Sequence, residues 1–471
     1  MRDSSMTEII YDYYASRILF GYFVPGDPLP STSYICNQFQ VSALTVRAAF
    51  ARLREENLIK TTERKLATVV YKPGPQTERR YLLSFMARKE GMDDICRNAG
   101  LIFGPMAQFY FKQQDNTSLK RIRSQLKKSQ GHPAKQITLL YSEAMKPLNN
   151  ALALNLYWEV VRYVRTPYLR RPADFDDTDA QAEQHVKRML DFIASGSSEA
   201  AVKEMLAFSR DVTQSFFKRL PSAPEAGPAA SFPFGWQIYR EHPQLCYTLA
   251  AKIMARIDSG AYVMEALLPS CQAMAQEYGV SLITMRRTLE LLGDMGVTET
   301  YNGIGTKVAV GKNKAAPNFS HLQIRKSLIL FLQALQISAL TCKYIAVHTL
   351  SSLDDFQALE RKIRRQTEEH KAFLLGETCL QFIGENSPSA FIKEVYHQLC
   401  QLLLWGHCLH VFYPQGEGAH FHELLAVKIS DSLRSRDIQK FADLLSELMT
   451  ASVRISRGLL LDLGLDENKL L

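Results

Sequence analysis

Apolar and polar positions follow a helical period along most of the chain, and one such pattern occurs twice. The first copy runs from Gly21 to Lys60 and the second from Gly260 to Glu299. Matching positions differ by 239 without a gap, as in Leu29-Pro30-Ser31 and Leu268-Pro269-Ser270. A fixed offset across forty positions predicts an internal duplication.

The first copy predicts three helices and a hairpin. The first helix runs from about Ile9 to Gly21, because apolar side chains recur there at helical spacing and a glycine commonly ends a helix. Apolar residues at helical spacing follow both Ser31 and Ser42, and serine is a favoured N-cap residue. We therefore expect Ser31 to cap a second helix over Thr32–Phe39 and Ser42 to cap a third over 43–56. The alternating stretch Leu58 to Tyr71 predicts two strands. This order is typical of a winged helix-turn-helix.

In such a domain the third helix presents its first turns to the major groove of DNA. Ser42, Thr45 and Arg47 lie there, and Arg64 and Lys65 lie at the tip of the hairpin, where they would meet phosphates. The competing interpretation is that these side chains are the solvated surface of a small helical domain. The duplication favours the winged helix as a fold more than it favours DNA binding.

The periodicity places the remaining residues in helices. We expect winged helices at 1–72 and 241–312, helical effector or dimerisation-like domains at 79–220 and 319–471, and a linker at 221–240, which is rich in Pro, Ala, Gly and Ser. The patterns beginning at Asn155 and at Ala390 are alike, so the duplicated unit includes the helical domain. The expected fold is mainly α, with two winged helices each followed by an all-α bundle.

Composition narrows the function. The net charge of +8 permits a nucleic-acid partner, but residues 1–72 carry nine basic and seven acidic side chains, so the excess is not concentrated there. No C-x-x-C pair, P-loop, H-E-x-x-H or G-x-S-x-G motif is found. We therefore expect no enzyme, no cofactor and no metal. No apolar run approaches about 18 residues and no signal peptide is visible, which indicates a cytoplasmic protein without a membrane partner.

The elements P-G-D-x-L-P, L-P-S and V-S-x-x-T-x-R together resemble the DNA-binding domain of the GntR family of bacterial transcription regulators. The resemblance covers roughly residues 9–72 and 245–312. It implies operator contacts in both copies. The predicted interface contains Ser31, Ser42, Thr45, Arg47, Arg64, Lys65, Ser270, Ser281, Thr284, Arg286, Gly303, Gly305 and Lys307.

The chain departs from the family at positions that usually carry arginine. Ser33 and Gln272 stand two residues after the serine of L-P-S, and Ala43 and Leu282 stand directly after V-S. The wing motif G-x-G is present only in the second copy, where the first has 64–66 as R-K-L. One arginine–guanine contact provides about 1–3 kcal/mol of discrimination. The departures therefore predict an altered or relaxed operator, or one copy that no longer reads sequence.

The region from Thr367 to Asn386 resembles, more weakly, the helical effector domain of FadR-like GntR regulators. That subgroup often binds a metal through one aspartate and three histidines. Here His370 and either His420 or His422 fall near two of those positions, but Gln366 replaces the aspartate. The resemblance therefore implies a small-molecule effector site between helices, without the metal.

Together these features predict a transcription regulator of GntR type made of two fused units. Its partners would be double-stranded DNA and a small-molecule effector, and it would act as a homodimer or as an intramolecular pseudo-dimer. The alternative is a sensor or interaction protein that kept the fold and lost operator binding, as the missing arginines suggest. A fusion to an aminotransferase-like enzyme is disfavoured by the helical periodicity.

Overall fold

A computed structural model describes most of the chain. The described residues are 4–19, 23–62, 65–72, 74, 83, 86–112, 116–127, 133–164, 176–219, 232–238, 245–309, 321–412 and 419–466. Contacts divide the chain into two compact units. The first contains Met1–Arg240 with Ser389–Phe391, and the second contains Glu241–Pro388 with Ile392–Leu471.

The first unit begins with a winged helix, as the sequence predicts. Its elements are α1 (Ser4–Leu19), α2 (Thr32–Phe39), α3 (Ala43–Glu55), β1 (Ile59–Lys60) and β2 (Thr68–Val69). The strands are antiparallel, with Ile59 opposite Val69. Val46, Ala49 and Leu53 of α3 have no exposed surface and pack toward α1 and α2, whereas Phe50 of the same helix is half-buried. Gly21, the predicted end of the first helix, lies outside the described residues.

A helical domain follows in the first unit. Its helices are α4 (Lys89–Lys112), α5 (Asn116–Lys127), α6 (Pro133–Met145), α7 (Ala151–Val164), α8 (Asp176–Ala194) and α9 (Ser198–Arg219). The main contacts join α9 to α4 and α8. Within the predicted linker, residues 232–238 pack against this domain, since Trp236 is buried and its Nε1 donates to Asn155 Oδ1 at 2.8 Å. Residues 221–231 and 239–240 of that linker lie outside the described residues.

The second unit repeats this order. Its winged helix consists of α10 (Leu245–Asp258), α11 (Cys271–Glu277), α12 (Leu282–Asp294), β3 (Thr298–Tyr301) and β4 (Gly305–Val308). Its helical domain consists of α13 (Leu322–Leu350), α14 (Gln357–Glu368), α15 (Leu375–Glu385), α16 (Ala390–Leu403), α17 (Gly406–Phe412), α18 (Ala419–Arg434) and α19 (Ile438–Asp462). The most extensive contact in this domain joins α13 and α19.

The duplication extends through both domains. Both bounds of α3 and α12 differ by 239, and so do both bounds of α7 (Ala151–Val164) and α16 (Ala390–Leu403). The offset found in the winged-helix sequence is thus kept in a helix more than 100 residues further along each copy. Because Ala390 corresponds to Ala151, the match between the segments beginning at Asn155 and Ala390 was out of register by four residues. Two separate domains joined by chance would not share this register, so the duplicated unit is a winged helix with its helical domain.

Helix α13 corrects one expectation. In the described part of the chain it is one helix that is long and apolar enough to cross a membrane, although the sequence analysis found no such stretch. Polar residues such as Gln333, Ser338 and Thr341 interrupt its apolar run, so the sequence shows no continuous apolar stretch of that length. These three side chains are buried, and α13 packs against α15 and α19, as the central helix of a bundle does.

Candidate nucleic-acid interface

Four serines of the predicted interface are helix N-caps. The backbone N–H of Tyr34 donates to Ser31 Oγ at 3.2 Å, and that of Thr45 donates to Ser42 Oγ at 3.3 Å. In the second copy, Ala273 donates to Ser270 Oγ and Thr284 donates to Ser281 Oγ, both at 3.2 Å. Each cap satisfies one N–H that the helix leaves unpaired. All four serines are exposed, so their hydroxyl groups are accessible to a partner from outside.

The two threonines of the recognition helices differ in exposure. Thr45 is 2% exposed and its Oγ1 lies 3.0 Å from Ser42 Oγ, so the structure contradicts a direct contact between this side chain and DNA. Thr45 instead supports the capping serine. Thr284 is half-buried and forms the same hydroxyl pair with Ser281 at 2.8 Å. The sequence motif could not show this burial, because it depends on the packing of α3 against its neighbours.

Arg47 and Arg286 occupy the same position in the two recognition helices, the fifth residue of α3 and of α12. Both side chains are exposed, and neither has an ion pair or hydrogen bond with the described residues. Arg287, which the sequence analysis passed over, is exposed beside Arg286. An unpaired guanidinium near the start of a recognition helix can bind a phosphate or a guanine edge.

The first turn of each recognition helix also exposes apolar side chains. Leu44 is 47% exposed in α3, and Leu282 and Ile283 are 39% and 63% exposed in α12. The core of the second winged helix does not need them, since Met285 and Leu292 already face inward with no exposed surface. In the sequence, these exposed apolar side chains are indicated by the absence of arginine directly after V-S.

The two wings differ in length and chemistry. In the first, Lys65 is exposed, while Arg64 lies outside the described residues. In the second, Gly303 and Gly305 have φ values of 77° and 130°. A residue with a side chain would be strained in this backbone conformation. These glycines shape the turn between β3 and β4. The half-buried Lys307 has its ammonium 5.6 Å from the ring centre of Tyr301, where a cation–π contact orients it.

The helical domain of the second unit contains an open cavity of about 360 Å³. Its wall includes apolar side chains such as Phe331 and Leu335, together with Asp258, the last residue of α10 in the winged helix. Its other ionisable lining residues are His370, Glu377, His407, His410, His422 and Glu423. The first helical domain has a smaller cavity of about 150 Å³, lined by residues that include Phe103, Tyr141 and Tyr157.

His407 connects the winged helix of the second unit to its helical domain. Its Nδ1 lies 2.6 Å from Asp258 Oδ2 and its Nε2 lies 2.8 Å from Glu377 Oε2, while His410 Nδ1 lies 2.6 Å from Asp258 Oδ1. Burial alone would lower the pKa of His407, but hydrogen bonds to the two carboxylates raise that pKa to about 9. Burial opposes ionisation of Asp258 as well, yet the two histidines hold its pKa below the usual value.

The corresponding junction in the first unit uses different residues. Arg162 Nη1 of α7 donates to Asp12 Oδ2 of α1 at 2.9 Å. Trp158 of α7 stacks on Phe39 of α2, with ring centres 4.1 Å apart, and meets the edge of Tyr13. This junction is therefore aromatic and carries a charge that does not titrate near neutral pH, whereas the second depends on histidines.

The histidines considered for a metal site are spread along the cavity. His370 is 88% exposed, with Nδ1 3.9 Å from Glu423 Oε1, and Gln366 forms hydrogen bonds with Thr378 instead of facing a ligand. His422 lines the same cavity, and the side chain of His420 is outside the described set. Over the described ranges, no group of three His, Cys, Asp or Glu side chains is arranged to hold a metal ion.

Comparison with known proteins identifies the winged helices. The family model described as bacterial regulatory proteins, gntR family, matches residues 7–69 and 247–308. No curated protein matches the chain. A solved structure of a Streptococcus agalactiae GntR is 15% identical over 44% of this chain and 99% of its own, with a TM-score of 0.20. A structure of Lar, described as controlling expression of the Listeria monocytogenes agr system, is 15% identical over 47% and 98%, with a TM-score of 0.19.

These structural scores are too low to carry an argument, so the identification depends on the family model. Its two matched ranges span α1 to β2 and α10 to β4, which are the elements built above from the sequence. The two winged helices of this chain are therefore the regions that match the model of the gntR family of bacterial regulatory proteins.

Proposed function

We propose that the chain is a transcription regulator made of two fused GntR-type units, and that both winged helices bind operator DNA. The observation that carries this proposal is the equivalence of the two recognition helices. Each begins at a capping serine and exposes an unpaired arginine at its fifth residue. This arrangement offers phosphate contacts and a base-reading guanidinium on the surface that a winged helix presents to the major groove.

The two half-sites would differ in sequence. The exposed first turns contain Ala43 and Leu44 in one copy and Leu282 and Ile283 in the other, and only the second wing has two glycines at its turn. Different side chains at equivalent positions favour different base pairs. A footprint with two identical half-sites, equally protected by both winged helices, would contradict this part of the proposal.

Binding to genomic DNA before and after single substitutions tests the function. We expect Arg47→Ala and Arg286→Ala each to weaken binding and to lower its salt dependence by about one unit of slope, since each removes one cation from the interface. Arg365→Ala is the matched control, because Arg365 lies on exposed α14 of the second helical domain and pairs only with Glu369. Full-length protein that binds no duplex in a salt-sensitive manner would favour the alternative of a degenerate sensor.

The helical domains would be effector domains of the FadR-like kind, with the effector in the cavity of the second unit. That cavity falls within the usual size range for ligand sites, about 300–1,000 Å³, and its wall combines apolar side chains with several ionisable ones. Asp258 belongs both to its wall and to the winged helix, so a ligand that contacts Asp258 would act directly on the DNA-binding domain.

A variant with a filled cavity tests the effector site. Ser452 is half-buried in the wall, and Ser452→Phe would occupy the space without removing the histidines. Small molecules that raise the melting temperature of the wild type should have no effect on this variant. An undiminished shift would place the effector elsewhere. In the cell we expect a cytoplasmic protein, and sedimentation of the DNA complex would separate the homodimer from the intramolecular pseudo-dimer.

A further inference from the structure

The first turn of α12 carries two adjacent aliphatic side chains on its surface. Leu282 and Ile283 follow the capping serine directly and are 39% and 63% exposed. Isolated exposed apolar residues are common on proteins and need no explanation. Here the pair lies at the end of the helix that a winged helix inserts into the major groove, and Arg286 and Arg287 are exposed in the following turn.

The surroundings of this pair fit a duplex better than they fit another apolar surface. The exposed arginines and the Ser281 hydroxyl beside it provide positive charge and a hydrogen-bond donor for phosphates. An apolar partner protein would have to cover these polar groups and remove them from water at a cost. The positive charges of Arg286 and Arg287 therefore favour a polyanion as the partner. When the phosphates of a duplex contact these arginines, Leu282 and Ile283 face the base edges in the groove.

Only one base offers an aliphatic side chain a favourable contact in the major groove. The C5 methyl of thymine is apolar, whereas guanine, adenine and cytosine present acceptors and donors that leucine and isoleucine cannot satisfy. A guanine or cytosine facing Ile283 would lose hydrogen bonds to water without compensation. Thymine has the complementary surface, because both its methyl and the side chain are withdrawn from water together.

We propose that Leu282 and Ile283 read thymine methyl groups, so that the half-site bound by the second winged helix contains A·T pairs where an arginine at this place would select guanine. The inference rests on the proposed DNA-binding function. In the first winged helix, the equivalent pair Ala43 and Leu44 has fewer methyl groups, and Leu44 is 47% exposed. The first half-site therefore carries the same preference in a weaker form.

Substitution of thymine by deoxyuridine tests this assignment, because it removes the methyl and leaves every hydrogen-bonding group in place. The probes are duplexes selected from a random-sequence library by the full-length wild type, with each thymine of the second half-site replaced in turn. We expect one or two replacements to weaken binding about three- to fivefold, the factor for leaving one methyl group in water. Ile283→Ala and Leu282→Ala should each bind the original duplex more weakly and lose the penalty at one replacement.

The controls separate this inference from the function on which it rests. Val427→Ala removes an equally exposed side chain from α18 and should keep the full deoxyuridine penalty. Circular dichroism melts of Ile283→Ala should match those of the wild type, because the side chain is on the surface. Two results would overturn thymine readout and leave DNA binding intact. One is binding that requires Arg286 but is unchanged by every deoxyuridine replacement. The other is a deoxyuridine penalty that persists in both Leu282→Ala and Ile283→Ala. Failure to select any duplex would overturn both.

Discussion

At the scale of single residues, the capping serines have two roles that substitution can separate. Ser281 Oγ accepts the Thr284 N–H and lies on the surface that we assign to DNA. Ser281→Ala should lower the free energy of unfolding by about 1 kcal/mol, because the cap is lost. Ser281→Asp keeps the cap, since aspartate is an equally good N-cap residue, and adds a negative charge to that surface.

We therefore expect Ser281→Ala to lose stability and Ser281→Asp to lose DNA affinity. Chemical denaturation should show Ser281→Asp to be as stable as the wild type, while gel-shift titration should show that it binds DNA far more weakly. Ser281→Ala should be less stable and should bind well at temperatures where it is folded. Normal DNA binding by Ser281→Asp would remove Ser281 from the interface. The same pair of substitutions at Ser42 tests the first winged helix, where the cap has the same geometry.

Trp158 is the residue on which the junction of the first unit depends. It has no exposed surface and stacks on Phe39. Trp158→Ala should destabilise the first unit by about 3–5 kcal/mol, because the cavity left by a buried indole is only partly filled by relaxation. Denaturant titration followed by circular dichroism measures this loss. Trp158→Phe keeps an aromatic ring against Phe39. It should therefore recover much of the stability that Trp158→Ala loses.

At the scale of elements, the junction between α10 and α17 is sensitive to pH. The groups that face His407 are Asp258 from α10, Glu377 from α15 and His410 from its own helix. The pKa of His407 is raised from 6.5 to about 9, so its protonated form stabilises the folded unit. This stabilisation is complete below the unfolded value of 6.5 and is lost as the pH rises through 9. Its size is on the order of 3–4 kcal/mol, at about 1.4 kcal/mol per pKa unit.

The melting temperature of the wild type should therefore fall between neutral pH and pH values above 9, and that of His407→Gln should fall less. Glutamine donates to a carboxylate through its amide nitrogen but has no proton to lose in this pH range. His397→Gln is the matched control, because His397 is exposed on α16. An identical pH profile for wild type and His407→Gln would show that this histidine does not carry the charge that stabilises the junction.

Elements defined by local patterns could be predicted from the sequence, and contacts between distant residues could not. The bounds of α3 and the first hairpin followed from the caps and from the apolar periods. The pairing of His407 with Asp258 spans 149 residues, and neither position stands out in its own segment. The burial of Thr45 and the packing of Trp236 on the first helical domain likewise depend on neighbours that the chain supplies elsewhere.

At the scale of the whole molecule, the duplication has produced two units that keep one register and differ at their junctions. Asp12 and Arg162 hold the first winged helix through an arginine–carboxylate pair, while Asp258 and His407 hold the second through a histidine–carboxylate pair. Each unit also has its own core. The proposed regulator would therefore respond through one unit while the other keeps its structure.

The separate cores predict two thermal transitions, and the different junctions allow each transition to be assigned to one unit by substitution. Domains with separate cores unfold as separate cooperative units when few contacts cross between them. In differential scanning calorimetry at neutral pH, Trp158→Ala should lower one transition and His407→Gln the other. Raising the pH above 9 should move the transition affected by His407→Gln and leave the other in place, because Arg162 keeps its charge. A single transition lowered by both substitutions would show instead that the two units unfold together, and a ligand bound in the second unit would then stabilise the first as well.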